Sequence, residues 1–140
     1  MQSKFFTLDE MLRSQTATRF NITEQFTPPK NIVDNLQTLC EKILDPLREK
    51  LNKPIRISSG YRSPKTNAKV GGAKNSQHLT GQAADLEAIG YTNAEIFNAI
   101  KHSDLPFDQL IWEYGSKDEP AWVHVSWSNK PRKQILFIGV

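Results

Sequence analysis

The apolar period of this chain changes at Pro54, and the change separates a helical half from a β half. Upstream, Ile32, Leu36, Leu39, Ile43, Leu47 and Leu51 recur at steps of three and four, the spacing of one buried stripe on a helix. Pro28-Pro29 opens that helix. Pro46, which lacks an N–H and crowds the preceding turn, predicts a kink or break inside it. Downstream, Ile55 and Ile57 alternate with Arg56 and Ser58 in a strand ending at Gly60. Gln82 to Ala88 alternates again, with Ala83, Asp85 and Glu87 on one face and Ala84, Leu86 and Ala88 on the other. Three further strand-like runs, Asp108 to Tyr114, Ala121 to Trp127 and Gln134 to Val140, are joined by turn-rich segments that predict an antiparallel meander.

Two capping boxes mark shorter helices. Thr7-Leu8-Asp9-Glu10 starts one that fades near Asn21, and Thr92-Asn93-Ala94-Glu95 starts one that runs to about Lys101. Tyr61 to Gly81 is polar and reads as a long loop with one helical turn from Pro64. Loops of that length inside a compact domain are usually functional or disordered. Helices first and antiparallel strands last make the fold class α+β, an antiparallel sheet packed against N-terminal helices.

The 140 residues suffice for one domain, 1–140, with a real core, and are too few for two. Eighteen basic against fifteen acidic side chains leave a net charge of +3, enough to favour encounter with an anionic surface without naming one. The basic residues neither cluster nor form a recognised motif, so nucleic acid is not expected as a partner. Cys40 is the only cysteine, which rules out an intramolecular disulfide and a thiolate cluster. Any metal site must use His and carboxylate ligands. The N-terminus has no apolar run of signal-peptide length and no segment could span a membrane, so synthesis in the cytoplasm is expected.

Two segments carry chemistry. In Ser76-Gln77-His78-Leu79-Thr80-Gly81-Gln82-Ala83-Ala84-Asp85, Gly81 permits a tight turn that brings an imidazole and a strand carboxylate to one side of a sheet. Alone, this pair is more commonly a surface His beside an unrelated strand Asp. In Trp122-Val123-His124-Val125-Ser126-Trp127, flanking valines make a central strand whose His124 shares a face with Trp122 and Ser126. A buried, backbone-bonded His would leave the same pattern. Taken together, His78, Asp85 and His124 form a His₂-carboxylate set, the usual complement of a catalytic zinc ion that keeps one position for water. Such a hydrolase needs a general base. Glu113 is the leading candidate, since its strand pairs with that of His124. Asp118 and Glu119 are alternatives in the intervening turn. Arg62 could fork onto a substrate carboxylate or pair with any surface acid. Ser76 and Gln77 could orient peptide groups. Glu87 reads as a rim charge or a support for Asp85, and His102 as a helix C-terminal residue.

These pieces resemble the zinc D-Ala-D-Ala carboxypeptidase and L-alanyl-D-glutamate endopeptidase family, whose fold the Hedgehog signalling domain shares. The resemblance rests on Ser58-Ser59-Gly60-Tyr61-Arg62-Ser63-Pro64 with Asn67, on Gly71-Gly72 leading into the Ser76–Asp85 segment, and on Trp122-Val123-His124-Val125-Ser126. It implies Zn²⁺ on His78, Asp85 and His124, and a substrate carboxylate on Arg62 and Ser76. The substrate it implies is the stem peptide of bacterial peptidoglycan. Several members carry their catalytic acid three residues before the last His, where this chain has Ala121. Other branches place it on the preceding strand, where Glu113 stands. Compact size and the missing leader resemble phage or prophage wall-lytic members, which predicts a monomer acting on the cell wall after phage-mediated release. A non-catalytic wall-binding or signalling module on the same scaffold is the alternative.

Overall fold

In the computed structural model, which describes residues 1–140, both capping boxes form. The Thr7 hydroxyl accepts from the Glu10 N–H and the Glu10 carboxylate accepts from the Thr7 N–H, starting α1 (Leu8–Leu12). This helix does not run on to Asn21. It stops at Arg13, and the Ser14 hydroxyl caps a second one, α2 (Gln15–Arg19), by accepting from the Ala17 N–H. A 3-10 turn at Thr23–Phe26 leads to α3 (Lys30–Leu39).

The break predicted at Pro46 takes the form of a π turn. Cys40–Leu44 widens so that the Asp45 N–H reaches back to the Cys40 carbonyl, and α4 (Asp45–Leu51) then resumes. The widened turn lies just before Pro46, where an ordinary helix would meet the clash between proline ring and carbonyl. The stripe survives it: Ile32, Leu36, Leu39, Ile43, Leu47 and Leu51 are all buried. Cys40 is fully buried, and burial followed by the charge of Asp45 pushes its thiol up to about 12, so it is an inert packing group.

The β half comprises β1 (Ile55–Ser59), α5 (Pro64–Lys69), a 3-10 turn at Gln77–Thr80, β2 (Ala83–Ala88), α6 (Asn93–Lys101), β3 (Gln109–Glu113), β4 (Trp122–Ser126) and β5 (Gln134–Ile138). The polar segment is therefore more structured than its composition predicts. The strands form one five-stranded sheet in the order β1-β2-β4-β3-β5. The predicted meander holds for β3 and β4 but fails for β5, which pairs parallel with β3. The reason is geometric. β4 already has β2 on one side and β3 on the other, so it has no free edge to offer. The chain instead crosses to the outer edge of β3, where Lys133 and Gln134 N–H groups donate to the Phe107 and Asp108 carbonyls.

Period-two alternation divides the sheet cleanly. Ile55, Ile57, Ala84, Leu86, Leu110, Trp112, Val123 and Val125 face the core with the α3–α4 stripe and with Ile96, Phe97 and Ile100 of α6. Burial of this face fixes the register, because a slip of one residue would turn every core side chain outward. The opposite face carries Asp85, Glu113 and His124 into a cleft of about 1140 Å³. No helix is long and apolar enough to cross a membrane.

Candidate metal centre

His78 rides on the 3-10 turn, which Ser76 caps by accepting the His78 N–H at 3.2 Å. Gly81 ends that turn at φ +72°, a left-handed conformation that releases the chain into β2. Asp85 on β2 stands opposite His124 on β4. Three side chains distant in sequence thus meet, and all are nearly inaccessible, at 2% (His78), 8% (Asp85) and 6% (His124) exposure. One ligand atom from each lies within 4.8 Å of the others.

The hydrogen bonds show what this arrangement lacks. His78 Nδ1 lies 2.6 Å from the Gly60 carbonyl oxygen, which can only accept, so Nδ1 carries the proton. In the neutral ring Nε2 is then bare, yet it faces Asp85 Oδ1 at 3.2 Å. His124 Nδ1 faces the same oxygen at 3.1 Å. Two imidazole nitrogens thus converge on one carboxylate oxygen in a buried site, where either a proton or a metal ion can lie between them. Burial raises the Asp85 carboxyl, but the charges and hydrogen bonds of His78 and His124 outweigh it and hold the group well below the usual carboxylate range. Asp85 is therefore an anion at neutral pH. An anionic carboxylate with two imidazoles, one of them fixed in tautomer by a backbone carbonyl, is a donor set suited to zinc.

Glu113 borders this set as its strand pairing predicts. Its Oε1 is 3.5 Å from His124 Nδ1, and its Oε2 accepts from the Trp122 indole N–H at 3.1 Å. Burial, then the charge of Asp85, pushes the Glu113 carboxyl up, against the opposing pull of His124 and Trp122. The alternatives lie elsewhere. The Glu119 carboxylate accepts from the Ala94 N–H at the start of α6, and Asp118 is exposed in the turn; neither lines the cleft. Arg62 does line it, its backbone N–H donating to the His78 carbonyl at 3.0 Å and its Nη2 approaching Ser76 Oγ at 3.4 Å. Ser76 thereby sits between Arg62 and His78. Glu87 pairs with Arg56 at the rim, and His102 ends α6.

The Gly60 carbonyl and the Trp122 N–H are supports that motif reading does not name, the first because it belongs to the main chain. Only glycine fits at position 60, since a Cβ there would sit 2.5 Å from the Met11 carbonyl oxygen. Gly60→Ala is expected to push these segments apart, costing about 1–3 kcal/mol as an overpacked site does. It should also weaken zinc retention by moving the carbonyl that holds His78. Thermal melts and zinc titration check this; wild-type values in both would show that the contact is dispensable.

Comparison with known proteins agrees with the geometry. A curated relative, the zinc D-Ala-D-Ala carboxypeptidase of Streptomyces albus G, is 54% identical over 37 residues, a stretch that is 26% of this chain and only 14% of that protein. The peptidase M15 profile matches residues 4–126, which take in every element from α1 to β4. The chain that folds this way around His78, Asp85 and His124 belongs to the peptidase M15 family.

Proposed function

We propose that this chain is a zinc-dependent metallopeptidase that hydrolyses peptide bonds in the stem peptides of bacterial peptidoglycan. The observation that carries this reading is the convergence of His78 Nε2, its ring oriented by the Gly60 carbonyl, and His124 Nδ1 on one oxygen of the ionised Asp85 carboxylate. His78, Asp85 and His124 would hold the ion. Zinc bound there supplies a Lewis acid that polarises a carbonyl and acidifies water.

The protein groups around it account for the remaining roles. Glu113, next to His124, takes the proton from the attacking water and returns it to the leaving amine. Its partly buried position lets it act both as base and as acid, because a carboxyl pushed up from its ordinary value holds a returned proton more readily. Arg62 holds a substrate carboxylate, with Ser76 steadying the guanidinium. That carboxylate is the free C-terminus in a carboxypeptidase and the D-Glu carboxylate in an endopeptidase of endolysin type. Mass spectrometry of muropeptides treated with the zinc-loaded protein separates the two by the fragments released. Chelator-insensitive binding to cell walls, with no fragment released, would instead identify a non-catalytic wall-binding module and overturn the proposal.

A further inference from the structure

Four arginines line the cleft, Arg13, Arg56, Arg62 and Arg132, and they fall into two pairs. Arg56 and Arg132 have carboxylate partners within the fold, Glu87 at 3.2 Å and the buried Asp108 at 2.8 Å. Arg13 and Arg62 have none. The only side-chain partner of Arg62 is the Ser76 hydroxyl, and the Arg13 guanidinium makes no hydrogen bond or ion pair. The only acids lining the cleft are Asp85 and Glu113; their charges favour the Arg62 cation, but neither forms a salt bridge with Arg62 or Arg13.

Their placement is built into the core. Gln25 is fully buried, and its amide nitrogen donates to the carbonyls of Leu12 and Tyr61, at 2.9 and 2.8 Å. Those are the peptide groups immediately before Arg13 and Arg62. Its oxygen accepts from the Ser63 N–H at 2.8 Å, and the Tyr61 N–H donates to the Met11 carbonyl at 2.9 Å. One buried glutamine therefore uses its whole amide to hold the two arginine-bearing segments side by side, and both arginines line the cleft. Two arginines on adjoining backbone segments of one cleft, neither in a salt bridge with a carboxylate, are complementary to a pair of negative charges.

We propose that Arg13 and Arg62 form a paired clamp for a peptide substrate that carries two carboxylates, one on each guanidinium. The proposal rests on the peptidase reading and adds to it a second specificity-determining residue and a substrate class. A stem peptide with both carboxylates free is the preferred ligand, and amidation of either one weakens it.

The test uses three peptides, L-Ala-γ-D-Glu-L-Lys with both carboxylates free and its two mono-amides. Calorimetry measures their binding to the zinc-loaded protein carrying Glu113→Gln, which suppresses turnover. Each mono-amide is expected to bind about tenfold more weakly than the free peptide, the loss of one charge-assisted contact. Adding Arg13→Gln should abolish discrimination against one mono-amide, and adding Arg62→Gln should abolish it against the other. Discrimination against both mono-amides that survives Arg13→Gln overturns the clamp, as does the absence of any discrimination or binding in the starting protein. The underlying function fails separately. Charge-dependent binding without cleavage of wall peptides by the unsubstituted protein sinks the peptidase reading alone, and cleavage without charge discrimination sinks the clamp alone.

Discussion

Asp85→Ala is expected to leave a folded protein that retains no zinc and whose turnover, under the proposed function, falls at least about a thousandfold. Asp85 is the centre of the cluster, since both imidazoles direct a nitrogen at its Oδ1, at 3.1 and 3.2 Å. Removing it leaves two buried imidazoles without the carboxylate oxygen on which both converge. The magnitude follows from the several kcal/mol that a Lewis acid contributes to stabilising charge in the transition state, at about 1.4 kcal/mol per decade of rate. His78→Ala and His124→Ala should behave alike, because two remaining ligands hold a divalent ion poorly. Asp85→Asn is the informative companion. It keeps the shape and a carbonyl oxygen but loses the negative charge, so zinc affinity should still fall. Metal content by atomic absorption, with circular dichroism to confirm folding, decides the matter. Near-stoichiometric zinc in all three alanine variants would refute the ligand assignment.

The second large effect separates ion from proton transfer. Glu113→Gln should keep its zinc and lose about 10²- to 10⁴-fold in turnover, the usual contribution of a positioned general base. The side chain stands beside His124 without being one of the three clustered ligands, so the metal has no reason to leave with it. The amide keeps the size of the carboxylate and an oxygen to accept from Trp122, which restricts the change to proton transfer. The pH profile offers an independent readout. In the metal-free protein burial and Asp85 raise the Glu113 carboxyl, so it should titrate above the ordinary glutamate range, and a divalent cation added alongside should lower it. Carbon NMR of labelled glutamate follows both. Unchanged turnover in Glu113→Gln would return the role to the remaining acids, and the positions of Glu119 on α6 and Asp118 in solvent make them poor substitutes.

The cluster of His78, Asp85 and His124 was legible in the sequence because each position depends on a rule of local geometry. Alternation placed His124 and Asp85 away from the valine and leucine faces of their strands, and the glycine at 81 announced the turn that carries His78. Glu113 followed from the hairpin joining β3 to β4. The long helix was equally plain, since its stripe needs only a period. What escaped depends on partners remote in the chain. The π turn before Pro46 has no residue signature of its own. The turn residues between β4 and β5 suit a hairpin, and only the occupancy of both edges of β4 sends β5 to β3. Arg13 is invisible for a similar reason. It looks like any surface charge until Gln25 ties its backbone to that of Arg62.

The carbonyl of Gly60 has a consequence for anyone wishing to alter this metal centre. In many zinc proteins the basicity of a ligating imidazole can be tuned by exchanging the side chain behind it. Here that lever belongs to the polypeptide backbone, which no codon change can delete, and bulk cannot be added at the same residue without striking Met11. Directed evolution of the centre must therefore work from the open side, through Glu113, Trp122 and the arginines, while the electronic character of His78 stays fixed by the path of the chain itself.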